Sequence, residues 1–175
     1  HILGLRVAAT ENARACKDLL TDLVERGLSA DDGLLAIIDG SKALASALKA
    51  VFGGDALVQR CRVHKTRNVI SYLPSDQQPW VNRQLTKAWA LDDPTQAIQS
   101  LKSLATQLDV KYPDAAASLR EGLEETVTVQ RLRISGLLRK SLSTTNAIES
   151  AFDIVRDRTR NVKNWKNGKM VQRWA

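Results

Sequence analysis

At 175 residues, with 43% hydrophobic content and a formal charge of +7, the chain can form one cored domain, or one domain with a sizeable insert. No apolar run approaches the roughly 18 residues of a membrane span, and the opening HILGLRVAATEN lacks the order of a signal peptide. That opening has no Met and begins in an apolar run, which predicts a piece of a longer protein. Cys16 and Cys61 are too few for a disulfide framework and fit a reducing compartment.

In chain order, Ile2–Ala8 alternates loosely and predicts a short strand. Thr10 is placed to cap a helix over 11–26, whose apolar stripe is Cys16, Leu19, Leu20, Leu23 and Val24 and which Gly27 ends. The run LLAII (34–38) predicts a strand buried on both faces. Asp39-Gly40 breaks it, and Ser41 caps a second helix to about Phe52, with Leu44, Leu48 and Val51 inward. Gly53-Gly54 stops that helix, and residues 56–63 read as a further strand. Strand–helix–strand–helix–strand order predicts an α/β fold with parallel pairing.

From Lys65 the texture becomes helical. Helices are predicted over 65–73, 75–91, 95–111 and 114–126, with Pro74, Pro79, Pro94 and Pro113 at or near their starts, while TVTV (126–129) is ambiguous. A last helix over about 146–160 carries Ile148, Phe152 and Val155 as its buried stripe. Three segments result: residues 1–64 as the first part of an α/β core, 65–142 as an all-helical insertion, and 143–175 as a core-completing helix with a basic end.

A sequence pI near 9.7 points to a polyanionic partner, since clustered Lys and Arg release counterions from phosphates. The charge is uneven. Residues 11–39 hold three bases and seven acids (3 − 7 = −4), whereas from Arg156 onward seven cations face one anion (7 − 1 = +6). Ahead of that basic run stands Glu149, and an acid among cations near a polyanion is what metal-dependent phosphoryl transfer on DNA requires. Glu149, Asp153, Arg156 and Arg160 share one polar lane opposite Ile148, Phe152 and Val155. Asn146-Ala147-Ile148-Glu149 equally fits a capping box.

Asp39 ends an apolar strand, the edge at which α/β sheets place their sites, although a strand-ending Asp-Gly is also ordinary turn chemistry. Cys61-Arg62-Val63-His64 is a C-x-x-H; with only Cys16 and His1 left to complete four ligands, a structural zinc is not expected, and a packed thiol with a hydrogen-bonded imidazole is, beside the site or not. Arg60, Arg62, Lys65 and Arg67 make a second basic cluster. Trp89 reads as helix packing, and Trp165, between Lys163 and Lys166, as the better base-stacking candidate. Neither a G-x-S-x-G nor a P-loop occurs.

Three segments, LLAIIDGSKAL (34–44), VQRCRVHKTRNVISYLP (58–74) and STTNAIESAFDIVRDRTRNVK (143–163), together resemble the Mutator-type transposases of bacterial insertion sequences, and the likeness covers nearly the whole chain. It implies a ribonuclease-H-like core, here truncated with its first strands missing, carrying an all-helical insertion. It implies metal-dependent cleavage and transfer of DNA strands by an Asp-Asp-Glu site holding two Mg²⁺, with Mn²⁺ as the alternative ion. Asp39 matches the second aspartate and Glu149 the glutamate, 110 residues apart (149 − 39); both are expected to be catalytic and metal-binding. The first aspartate has no counterpart, so this chain alone is expected to be inactive or nearly so.

Cys61 and His64 match the family's C-x-x-H, and Ala147 stands where the family has Pro. Arg156, Arg158, Arg160, Lys163, Trp165 and Lys166 are the expected DNA contacts. The implied partners are terminal inverted repeats and target DNA, with homo-oligomerisation of the full-length protein, in a bacterial cytoplasm at the nucleoid. The alternative is a catalytically inactive, DNA-binding remnant of a transposase.

Overall fold

The computed structural model describes residues 2–6, 8, 10, 12–164 and 170. The chain forms two compact units, one of His1–Leu34, Ser41–Leu57 and Asn146–Ala175, the other of Leu35–Gly40 and Val58–Thr145.

In the first unit, α1 (Ala13–Glu25) packs on α2 (Lys42–Phe52), burying Leu20, Ala47, Leu48 and Phe52. The α1 cap is Asn12, whose side chain accepts from Ala15 N at 2.9 Å, and not Thr10. Asn12 in turn donates through Nδ2 to the Thr10 carbonyl at 3.2 Å. Ser41 caps α2 as expected, accepting from Leu44 N at 3.1 Å. Among the described residues the strand predicted over residues 2–8 is not seen: residues 2–6 and 8 are irregular and exposed.

Helix α9 (Asn146–Thr159) also departs from expectation, because it buries no residue fully. Ile148 and Phe152 remain 57% and 45% exposed. With Val155, Ala151, Leu23 and residues 2–5 they line a groove of about 500 Å³. Helical periodicity fixes which face is apolar; it does not fix whether that face is covered.

In the second unit, β1 (Leu34–Ile38) and β2 (Ala56–Arg60), which lie in it from Leu35 and Val58 onward, pair in parallel as a two-stranded sheet. Only Ile38 of β1 is buried; the other four residues are half-buried and do not show the two-sided burial expected. A strand with a single partner leaves the rest of its surface open. β2 stops at Arg60, three residues short of the reading, because Cys61 becomes the N-cap residue of α3 (Arg62–Ile70) and its carbonyl accepts from Lys65 N.

Helices α4 (Gln78–Ala90), α5 (Pro94–Asp109) and α6 (Pro113–Arg120) follow, with Pro in the first turn of each. They enclose a core that includes Val69, Val81, Leu85, Leu101, Leu119 and Val127. The ambiguous TVTV resolves as a 3₁₀ turn (Glu124–Val127) running into α7 (Thr128–Arg131), and α8 (Gly136–Leu142) completes the unit. Among the described residues this is a helix-rich mixed α/β chain, consistent with the α/β reading at that level.

Candidate functional site

Asp39 is exposed and follows directly on β1, at the C-terminal edge of a parallel pair. The turn reading of Asp39-Gly40 holds for the glycine, whose φ is +111°. Helix α2 has its N-cap in Ser41. Beneath the turn lies a guanidinium. A Cβ placed on Gly40 would sit 2.6 Å from Arg60 Nη2, and Arg60 is only 6% exposed. Its Nη2 donates to Glu121 at 3.2 Å. Gly40 is thus required twice, for its dihedral and for the space above Arg60.

The end of β2 is fixed by buried polar groups that sequence reasoning missed. Gln59 Nε2 donates to the carbonyls of Arg60 and Thr126, and its Oε1 accepts from Val129 N at 3.0 Å. Thr128 Oγ1 donates to Val58 O, and Trp89 Nε1 donates to Thr126 Oγ1 at 3.0 Å. Trp89 is therefore helix packing, as expected, with its polar tip satisfied. Only the VQ and TVTV letters hinted at this network, and polar letters alone carry no burial.

The basic cluster at 60–67 is largely buried. Arg60 is buried, and Arg62 donates through Nε to Thr126 O at 2.9 Å and lies 5.7 Å from the Trp89 ring centroid. Burial, with the nearby Arg139 charge, pushes Arg62 down to about 10. Lys65 is fully buried and donates to the carbonyls of Ser118 and Glu121. Burial, helped by the Arg60 charge, lowers its ammonium to about 8. Of the four, Arg67 alone is exposed.

Cys61 and His64 do come together. Cys61 is wholly buried, and its Sγ lies 3.4 Å from His64 Nδ1. Thr145 donates to the same sulfur from its amide at 3.4 Å and its hydroxyl at 3.3 Å. Burial pushes the thiol up, but the hydrogen bonds from His64 and Thr145 outweigh it and the net direction is down.

Glu149 is half-buried in the first turn of α9, in the unit that does not contain Asp39. Asn146 is already helical, which puts Glu149 one position beyond the reach of an Asn146 capping box. Along the polar lane, Arg156 is ion-paired with Asp153. Arg158, Arg160 and Lys163 are exposed. Trp165 and Lys166 lie outside the described residues.

The chain thus carries an exposed strand-end acid, a basic helix led by another acid, and a C-x-x-H that opens α3. A family model described as transposase, Mutator family, matches residues 1–174. The chain is 34% identical over 161 residues to the transposase of insertion sequence element IST2 from Acidithiobacillus ferrooxidans, covering 92% of this chain and 52% of that protein. It is 32% identical over 153 residues to the IS6120 transposase of Mycolicibacterium smegmatis, with 87% and 46% coverage. With the ISRM5 transposase of Rhizobium meliloti it shares 30% over 167 residues, 95% and 41% of the two chains. The chain belongs to the Mutator family of transposases. It spans about half the length of these relatives. No helix among the described residues is long and apolar enough to cross a membrane.

Proposed function

We propose that this chain is part of the catalytic region of an insertion-sequence transposase, with a ribonuclease-H-like core into which residues 65–142 are inserted, and that Asp39 and Glu149 are two of its three metal-binding acids. The observation that carries the reading is Asp39, an exposed carboxylate at the C-terminal edge of a parallel strand whose following helix is capped by Ser41. Family membership supports it. The donor chemistry also fits: carboxylate oxygens suit hard Mg²⁺ or Mn²⁺, whereas the thiol and imidazole of Cys61 and His64 suit softer ions.

When bound, two such ions supply an activated water or 3′-hydroxyl and stabilise the leaving oxygen of a phosphodiester. The chain's own residues do the rest. Asp39 and Glu149 provide anionic oxygens, Arg156, Arg158, Arg160, Lys163 and Lys166 hold phosphates of inverted-repeat or target DNA, and Trp165 stacks on a base. Two acids do not complete a three-acid site, so the 175-residue chain alone is inactive. The full protein works as a homo-oligomer at the nucleoid.

The test is Mg²⁺-dependent cleavage of element-end DNA by a transposase containing this chain. Asp39→Asn and Glu149→Gln are each expected to abolish cleavage while leaving DNA binding intact. Cleavage undiminished in Asp39→Asn overturns the assignment, and binding without any cleavage in the unaltered protein identifies an inactive remnant.

A further inference from the structure

The C-x-x-H has no evident task in phosphoryl transfer, yet Cys61 is among the most thoroughly engaged residues of the second unit. Its main-chain amide donates to the carbonyl of Ile38 at 2.7 Å, one residue before Asp39. Its sulfur accepts from the amide and hydroxyl of Thr145, one residue before α9. His64 Nδ1 stands 3.4 Å from both the Cys61 sulfur and the Thr145 hydroxyl. Next door, Arg62 N donates to Ser143 O at 2.9 Å. Ser143 and Thr145 are buried, 3% and 8% exposed, although they belong to a short link between two helices.

We propose that Cys61 and His64 are positioning residues that fasten the backbone ending at Asp39 to the backbone leading into the Glu149 helix. Sulfur suits the task for a geometric reason. Its hydrogen bonds run about half an ångström longer than those of oxygen, so one atom receives donors from two segments without drawing them into collision. Location at the head of α3 favours electron-rich sulfur as well. The imidazole closes the set by bridging sulfur and hydroxyl. The catalytic significance of the fastening rests on the proposed roles of Asp39 and Glu149, whereas the fastening itself does not.

Amide hydrogen exchange on the 175-residue chain tests the fastening directly. Cys61→Ala is expected to speed exchange at residues 143–145 by about tenfold, as for the loss of one or two hydrogen bonds, with Leu101 and Leu119 amides unaltered. Cys61→Ser, which keeps an acceptor, restores part of the protection, and Thr145→Ser more than Thr145→Val. Unchanged exchange at 143–145, or acceleration spread evenly through the second unit, overturns the proposal by reducing Cys61 to core packing. In a cleaving transposase containing the chain, Cys61→Ala and Thr145→Val are expected to lower kcat about tenfold to a hundredfold with DNA affinity kept; loss of affinity with kcat kept overturns the positioning role. Failure of the Asp39→Asn test would leave the exchange result standing, so the two readings fail separately.

Discussion

The two units hold themselves together by different means. In the second, α3 to α7 close over a core whose central residues, Val81, Leu85, Leu101 and Leu119, are fully excluded from water. In the first, α1 and α2 bury four apolar residues between them, and α9 shows its apolar face along an open groove. The all-helical stretch that sequence reasoning placed as an insertion is therefore the better-packed part. The helix that bears the charged lane is the less buried one. Stability and the proposed chemistry are distributed unequally between the units, and substitutions can test that division.

The largest effect is expected in the dense unit. Leu101→Ala removes a side chain with no exposure and should cost about 2–5 kcal/mol. Phe152→Ala, on the 45% exposed face of α9, should cost under about 1 kcal/mol despite deleting a larger side chain. Urea midpoints of the two variants measure the contrast. Equal losses would break it, showing the α9 face to be covered in solution.

A smaller effect separates charge that is buried from charge that is displayed. Lys65 keeps its proton less tightly folded, at about 8, than its ordinary value of 10.5. Below pH 8 both folded and unfolded chains hold the proton, and the penalty is constant. Between pH 8 and 10.5 the unfolded chain binds more protons, so stability should rise with pH, on the order of 2 kcal/mol across the window. The lowered Cys61 thiol adds in the same direction. Lys65→Met isolates the lysine: between about pH 7.5 and 9.5 its urea midpoint should climb less than that of the unaltered chain. Identical slopes would place the Lys65 ammonium in contact with water.

Local signals carried much of the first sixty residues. The β1–α2–β2 order was legible because LLAII, Asp39-Gly40, Ser41 and Gly53 each dictate a backbone state through chemistry that acts within a few residues. Asp39 was legible as a candidate for the same reason. Burial was not legible. Arg60, Arg62 and Lys65 spell a basic patch, yet their partners are Glu121, Thr126 and Ser118, more than fifty residues away. Ile148 and Phe152 spell a core stripe, yet its cover depends on neighbours that periodicity does not name. The C-x-x-H was visible as letters, while its partner Thr145 lies 84 positions from Cys61.

The smallest and most selective effect concerns the displayed cations. Every cation that grips a phosphate adds about 0.9 to the slope of log affinity against log salt, so replacing Arg156, Arg160 and Lys163 by Ala would flatten it by about 2.7 if all three touch DNA. Arg156 is already ion-paired with Asp153 on its own helix, and that bond must be surrendered or shared before a phosphate is gripped. The double substitution of Arg160 and Lys163 should therefore account for most of the change, about 1.8, with Arg156→Ala adding less than its share. Salt titrations of binding to element-end DNA measure this. An unchanged slope would mean that the basic end of α9 serves solvent alone, and Asp153→Ala sharpens the point: freeing the guanidinium should bring Arg156 up to its full contribution.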